Sequence, residues 1–554
     1  MPSLISIAAP QVDEFITSPK KLKAAAIRHS RNSRLWRRIQ STTLWLFLIV
    51  SFTLLTMIKS VVIWHPGNLL KNPCQTVRTI YGIHRRLITE NLNLDLASHR
   101  RPQQQLPLMI LPLKPHELPK NLSDSEREFW KQPNDLGYRP CLEISKEYAQ
   151  ASSAIIRQRR KYLMVVVNGG LNQQRNQIVD AVLIARILEA ALVIPVLQVN
   201  QIWGDESEFS EIFDVEHFKR ILRDDIRIVS SLPSTHVVAR PAVESNMPLH
   251  ASPDWIKSHY TRKLRRDGVL LLRGMDSRLS HDLPSDLQKL KCKAAFHALR
   301  FAPSLQALGE KLARRMWEEG PFVALHLRLE KDVWVRTGCL PGLSAELDEE
   351  IRIARIKSPQ LLTSRSNMTF EERRKQGLCP LTAHEIARTL RALGANSRTR
   401  VFWAGGEAFG GSKSLEPLRA EFPLLYDKFS IAEPWEMEPF REKASSLAAI
   451  DYIITLNSDV FIPSHGGNMG HALRGHRAYV GHRKYITPQK RDLIQLFLNS
   501  SSMREEEIND EIKRLHSEAN GRPQLRMEKP TRDVLGYPVP ECMCRSSRTW
   551  HAVV

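Results

Sequence analysis

Tyr162-Leu-Met-Val-Val-Val-Asn168-Gly-Gly-Leu-Asn-Gln-Gln-Arg175 is the stretch that decides the architecture. The run from Tyr162 to Val167 has no polar alternation, the pattern of a strand covered on both faces. Gly169-Gly170 then turns the chain. Ile178, Ala181, Val182, Ala185 and Leu188 follow at helical spacing, and Leu192–Leu197 reads as the next buried strand. Strand, helix and strand in that order make a βαβ unit with parallel strands.

Gly268–Arg273 extends the same sheet, and a second set begins at Phe322-Val-Ala-Leu-His-Leu. It continues through a helix at 383–393, a strand at 400–404, helices near 415–422 and 445–454, and a strand at 460–463. The fold class is therefore α/β, with two Rossmann-like, doubly wound domains facing a cleft. Ligands of such sheets bind outside the carboxyl ends of the strands.

The chain has 554 residues, 42% of them hydrophobic, which excludes a wholly disordered or fibrous protein. Its net charge of +21 calls for an anionic partner, and the position of the charge narrows the choice. Residues 1–40 hold Lys20, Lys21, Lys23, Arg28, Arg31, Arg34, Arg37 and Arg38 against Asp13 and Glu14. Ser41 to Trp64 follows with Lys59 as its single charge, long enough for a helix across the ~30 Å hydrocarbon layer. No small-residue cleavage pattern follows, so this segment reads as an uncleaved signal anchor. The positive-inside rule places residues 1–40 in the cytosol and the bulk in a lumen, a type II topology. The basic tail thus reports orientation, and nucleic acid is not an expected partner.

All seven cysteines lie after the anchor, where an oxidising lumen permits disulfides. Cys542 and Cys544 are too close for an easy mutual bridge, so each pairs elsewhere. The sequons at Asn121, Asn367 and Asn499 agree with a luminal glycoprotein.

Three segments carry candidate chemistry. At Asn168–Arg175 the glycines Gly169 and Gly170 permit close backbone approach, and the helix start offers free N–H groups to an anion. Asn172, Gln173 and Arg175 add side-chain donors. The bland alternative is an ordinary turn with an Asn cap. In His326-Leu-Arg328-Leu-Glu330-Lys-Asp332, three polar groups emerge together from a buried strand if the segment stays extended. Arg328 suits a phosphate bidentately; a structural Arg–Glu pair is the alternative. The third segment joins Asp451, Asp459 and Ser464-His465-Gly466-Gly467-Asn468, a strand-turn-helix at the same sheet edge or a mere capping turn.

Other motifs fail. Gly405-Gly-Glu-Ala-Phe-Gly-Gly-Ser-Lys-Ser414 lacks the Gly-Lys order of a P-loop, and no G-x-G-x-x-G follows a strand. His465, His471, His476 and His482 match no ligand spacing, and no D-x-D anchors a metal-bridged diphosphate. No metal site is expected.

Taken in order, these segments resemble the plant GDP-fucose protein O-fucosyltransferase family. The likeness rests on Asn168-Gly-Gly-Leu-Asn-Gln, Ile212-Phe-Asp-Val-Glu-His-Phe and His326-Leu-Arg-Leu-Glu-Lys-Asp. It continues through Cys379-Pro-Leu-Thr, Phe402-Trp-Ala-Gly-Gly-Glu, Asp459-Val-Phe-Ile-Pro-Ser-His-Gly-Gly-Asn-Met and Pro540-Glu-Cys-Met-Cys, about residues 155–545. The resemblance implies a GT-B-like fold and a Golgi membrane glycosyltransferase with metal-independent, inverting transfer from a nucleotide-sugar, GDP-fucose. No cofactor beyond that donor is implied, and the acceptor would be a glycan or glycoprotein. It implies catalytic roles for Asn172 and Arg328, and Glu330 is the candidate base. It also implies donor contacts from Gly169, Gly170, Asn172, Gln173, His326, Arg328, Asp451, Asp459, His465, Gly466, Gly467 and Asn468. Val333-Trp-Val-Arg336 departs from the family pattern, so Trp334 and Arg336 are the positions where acceptor recognition would be altered.

The expected organisation is a cytosolic tail (1–40), a transmembrane signal anchor (41–64) and a luminal stem (65–154). An N-terminal Rossmann-like domain (155–305), a C-terminal nucleotide-sugar domain (306–502) and a tail (503–554) follow. Two alternatives remain: a rhamnosyltransferase using UDP-rhamnose in pectin synthesis, and a catalytically silent Golgi scaffold.

Overall fold

The apolar runs at Tyr162–Val167, Val269–Leu272 and Val460–Pro463 become strands of two parallel sheets. The computed structural model describes residues 112–133, 137–200, 202–237, 241–276, 278–362, 367–463, 467–481, 484–517, 525–526 and 532–545. The basic tail, the apolar segment 41–64, Cys74, His465 and Gly466 lie outside these residues. Among the described residues no helix is long and apolar enough to cross a membrane.

After β1 (Tyr138–Pro140) the chain enters a six-stranded sheet. Its strands are β2 (Tyr162–Val167), β3 (Ala191–Val193), β4 (Val196–Leu197), β5 (Ile228–Val229), β6 (Ala242–Glu244) and β7 (Val269–Leu272). The order is β5-β3-β2-β7-β6, all parallel, and β4 also pairs with β2. The single strand expected over Leu192–Leu197 is broken. Pro195 has no N–H to donate, so β3 stops before it and β4 resumes after it.

The second sheet holds β8 (Phe322–His326), β9 (Arg400–Trp403), β10 (Leu425–Tyr426), β11 (Val460–Pro463) and β12 (Lys484–Tyr485). Its order is β10-β9-β8-β11-β12, again all parallel. In both sheets the first long strand is central and later strands fall on either side. The carboxyl ends of β2 and β8 are therefore topological switch points, where such sheets open a crevice. β2 ends at Asn168-Gly169-Gly170 and β8 ends at His326.

Five helices position the site: α1 (Leu171–Ile187), α2 (Pro303–Glu318), α3 (Lys331–Thr337), α4 (Ala444–Leu456) and α5 (Asn468–Tyr479). The apolar spacing of α1 predicts one buried face, yet only Gln173 and Asn176 escape burial along it. Its polar face is covered because each charge there has a partner. Arg186 lies over the Tyr148 ring at 3.7 Å and donates to Tyr148 O, Ser152 Oγ and Asp225 O. Asp180 faces Lys291 at 3.5 Å, and Lys291 reaches Asp533 at 3.1 Å. α2 and α4 meet at Gly309, where a Cβ would lie 2.6 Å from Ile453 Cδ1, so only glycine permits this approach.

The end of the expected stem is part of the packed body. Phe129 and Trp130 join the core of the second sheet, and Tyr148 is buried against Arg186. The Pro- and Gln-rich composition upstream hides these few apolar anchors. The C-terminal segment returns to the first half: β13 (Met543–Arg545) pairs antiparallel with β1. Disulfides Cys141–Cys544 and Cys292–Cys542 fasten it there, and Cys339–Cys379 closes a loop in the second half. Cys542 and Cys544 do pair with different partners.

Candidate active site

The turn after β2 is built by glycine and tied by amides. Gly169 has φ +83°, a left-handed conformation that disfavours side chains. Gly170 N donates to Gln173 Oε1 (3.1 Å), and Gln173 Nε2 donates to Asp276 Oδ2 (3.1 Å). Gln177 Nε2 donates to Asn168 O (2.9 Å), and Asn200 Nδ2 to Gly169 O (3.1 Å). Gln173 N and Gln174 N both turn back to Gly170 O. Of the helix-start N–H groups, those of Leu171 and Asn172 keep no protein acceptor among the described residues. Asn172 is buried, and its Oδ1 is sealed from solvent without a hydrogen-bond partner. A buried orphan acceptor costs about 1–3 kcal/mol.

Two expectations for this segment change. Gln173 is not a free donor: both ends of its amide hold the turn. Arg175 lies one helical turn away from the strand edge, buried against the rings of Phe301 (5.1 Å) and Tyr452 (4.9 Å).

On the facing sheet, His326 is buried at the end of β8, and Arg328 follows in the loop before α3. Arg328 Nε donates to Glu330 Oε2 (3.1 Å), and Nη2 donates to both oxygens of Asp332 (3.2 and 3.0 Å). Nη1 has no protein acceptor among the described residues. Burial alone would lower the pKa of this guanidinium, but the two carboxylates raise it. Burial raises the pKa of Asp332 against the pull of Arg328. Glu330 is not placed as a base. Its Oε1 accepts from Gly406 N (3.0 Å) while Oε2 holds Arg328, so both oxygens are committed.

The Gly405-Gly406 turn after β9 supports this loop from below. A Cβ on Gly405 would lie 2.7 Å from Leu327 O, so the two backbones touch only because it is glycine. Lys428 Nζ donates to Gly405 O (2.7 Å) and to Asp451 Oδ2 (2.9 Å). Asp451 lies on α4, and its buried Oδ1 has no partner. Burial pushes its pKa up to about 6, with Lys428 opposing and the charge of Glu330 adding to the rise. Asp451 therefore sits beneath the loop and braces it through Lys428.

Asp459 is placed elsewhere. It precedes β11, so it lies at the amino edge of the sheet, away from the crevice. Its Oδ2 accepts from Phe322 N (3.1 Å), and its Oδ1 accepts from His116 N (2.8 Å). It fixes the start of two strands and the strap that carries His116. The motif spacing could not separate the two edges, because a strand of four residues lies between Asp459 and the turn. At the crevice edge itself, Gly467 and Asn468 start α5, and Asn468 Oδ1 accepts from Asn176 Nδ2 of α1 (3.4 Å).

Trp203 joins the two halves, and no sequence signal marked it. It lies in the loop after β4, which has no periodicity. A Cβ on Gly170 would meet its ring at 3.2 Å, and Arg328 Cζ lies 5.8 Å from its ring centroid. One aromatic face thus sets the Gly169-Gly170 turn and Arg328 on opposite sides of the same crevice. Trp334, expected to face an acceptor, is buried with Nε1 donating to Leu329 O (3.1 Å). Arg336 stays near the surface, 3.9 Å from Asp332.

The remaining motifs are structural. Asp214 caps the helix Val215–Leu222 by accepting from His217 N (2.9 Å), while Ile212, Phe213 and Phe218 enter the core. Cys379 is in a disulfide, and Thr382 forms a capping box with Glu385.

A family model for GDP-fucose protein O-fucosyltransferase matches residues 162–480. O-fucosyltransferase 20 of Arabidopsis thaliana is 62% identical over 420 residues, spanning 76% of this chain and 73% of its own length. O-fucosyltransferase 20 of Brassica napus is 52% identical over 550 residues, spanning 98% of this chain and 94% of its own. Among solved structures, POFUT1 in complex with GDP-fucose aligns over 60% of this chain and 98% of its own, at 16% identity and a TM-score of 0.36.

Proposed function

Because the chain belongs to the GDP-fucose protein O-fucosyltransferase family and is a glycosyltransferase, we propose that it transfers fucose from GDP-fucose to a hydroxyl of a protein or glycan. The observation that carries this reading is Arg328. Two carboxylates hold its guanidinium, Nη1 is left uncommitted, and the Gly170 turn lies across Trp203.

The donor's diphosphate is dianionic or more, and charge grows on its β-phosphate oxygens as the bond to the sugar C1 breaks. Arg328 Nη1 and the free N–H groups of Leu171 and Asn172 are donors aimed at such charge, already oriented before reaction. The acceptor oxygen attacks C1 as the bond from C1 to the diphosphate oxygen breaks; GDP leaves from the opposite face, the hydroxyl proton passes to the released diphosphate or to water, and the anomeric centre inverts without a metal. Removing one such preorganised donor costs about 2.7–4 kcal/mol of transition-state stabilisation, roughly 100- to 1000-fold in rate.

The test is Arg328→Ala with a donor panel of GDP-fucose and UDP-rhamnose. We expect an unchanged circular dichroism spectrum, fucosyl transfer by the parent, and a loss of at least about 100-fold in the variant. Near-normal turnover in the variant removes Arg328 from the mechanism. Transfer from UDP-rhamnose alone assigns the other donor.

We also place the chain as a single-pass type II Golgi membrane protein with its catalytic part in the lumen. The apolar segment 41–64 and its basic flank support this. So do three disulfides and exposed sequon asparagines at 121, 367 and 499.

A further inference from the structure

A second cavity lies behind the crevice, between the two halves, with a volume of about 180 Å³. None of Asn172, His326, Arg328 and Asp451 lines it. Three arginines do: Arg175 from α1, Arg300 from the link between the halves, and Arg314 from α2. Arg175 is buried and Arg300 half-buried, while Arg314 is exposed at the rim.

None of the three has a carboxylate within ion-pair distance among the described residues, although ion pairs are frequent elsewhere in this chain. Arg175 makes only long bonds to the backbone, Nη1 to Leu299 O (3.3 Å) and Nη2 to Ala295 O (3.4 Å), besides the Tyr452 side chain. Arg300 Nε is sealed from solvent without a hydrogen-bond partner. The one carboxylate on the wall is Glu310, whose Oε1 accepts from Gln306 Nε2 (2.7 Å). Burial keeps the lining His476 neutral by pushing its pKa down to about 3, so it neither adds to nor offsets the charge. Three arginines against one carboxylate leave the cavity wall with a positive excess among the described residues. A buried charge in that state is costly unless an opposite charge joins it.

We propose that this cavity is a binding site for a small oxyanion, a sulfate, phosphate or carboxylate group, at the junction of the two halves. Guanidinium forks match oxyanion geometry. The volume suits this class. It falls below the roughly 300–1,000 Å³ of pockets for larger organic ligands, and at ~30 Å³ per water it holds an oxyanion with a few waters. A bound anion would touch α1, the link and α2 together, so its effect is to brace the two halves against each other.

The experiment is thermal melting of the full chain with sodium sulfate and, separately, sodium acetate, at constant ionic strength. Three proteins are compared: the parent, Arg300→Gln with Arg314→Gln, and Arg328→Ala. These rim substitutions spare buried Arg175, so the fold is kept. A saturable rise in Tm with either salt is expected for the parent and for Arg328→Ala, which separates this site from the crevice. The rim variant should weaken the apparent affinity at least about tenfold, as the loss of one charge-assisted hydrogen bond implies, yet still bind GDP. A crystal soaked in bromide should show anomalous density in the cavity of the parent. No saturable rise, an equal rise in the rim variant, or a cavity holding only water overturns the proposal.

Discussion

Glu330→Gln separates two roles that sequence alone could not distinguish. The side chain accepts from Arg328 Nε at 3.1 Å and from Gly406 N at 3.0 Å. Glutamine has the same shape but only one acceptor oxygen. If that oxygen stays on Gly406 N, an amide N–H₂ faces Arg328 Nε–H, donor against donor; turned around, Gly406 N loses its acceptor. One of the two bonds is lost either way. A bond involving a charged group is worth about 1.5–3 kcal/mol, which at about 1.4 kcal/mol per tenfold is roughly 10- to 150-fold in kcat/KM. Loss of a general base costs about 100- to 10,000-fold, so rate alone does not decide. Two further readouts do. A positioning residue that aims Arg328 should weaken GDP binding when altered and leave the acid limb of the pH–rate profile in place. A base should leave GDP affinity unchanged, lose that limb, and be rescued by added formate. The assay is fucosyl transfer across pH, paired with calorimetry of GDP binding. Unaltered GDP affinity with formate rescue would falsify the positioning role.

Two more predictions follow from the amino edge and the topology. His116 Nδ1 faces both oxygens of Asp459 at 3.1 Å, and Nε2 faces Trp317 O at 2.8 Å, so both ring nitrogens meet acceptors. Burial would lower its pKa, but Asp459 raises it above the ordinary 6.5. A raised folded-state value contributes stability that is full below pH 6.5 and lost as pH rises through that value. His116→Gln should therefore flatten the fall in Tm above pH 6.5; an unchanged slope in the variant refutes the pairing. In intact Golgi vesicles, protease should remove only the basic tail, and glycosidase should shift the mobility of the protected remainder; digestion of the catalytic part without detergent reverses the topology.

Much of the fold is legible in the sequence because parallel strands are buried on both faces. Tyr162–Val167 and Val460–Pro463 are apolar throughout, Phe322–His326 is apolar up to its last residue, and each became a strand. The edge strands Ile228–Val229, Ala242–Glu244, Leu425–Tyr426 and Lys484–Tyr485 are two or three residues long. They carry no period to read and form only because a longer neighbour offers its backbone. The same limit hid Phe129 and Trp130, isolated anchors in a segment whose composition resembles a stem.

The candidate site divides along similar lines. Gly169, Gly170, Asn172 and Arg328 are readable because strand–turn–helix spacing sends them to the carboxyl edge, whatever lies on the other side. Trp203 and Lys428 come from segments without periodicity, and only packing brings them to Arg328 and Asp451. Asp459 shows the converse error: its motif is contiguous, but four extended residues carry it to the opposite edge of the sheet.

Sequence by itself determined the parallel α/β plan, the turns at the carboxyl ends of β2 and β8 and the family, since these depend on local hydrophobic runs and contiguous motifs. Tertiary structure alone decided that Glu330 and Gln173 are already hydrogen-bonded. It also decided that Arg175 faces a cavity between the halves and that Cys542 and Cys544 pair with Cys292 and Cys141. The physical reason is separation along the chain. Hydrogen-bond partners, counter-charges and disulfide mates hundreds of residues apart become neighbours only when both sheets pack, and a side chain's role is set by what it then touches.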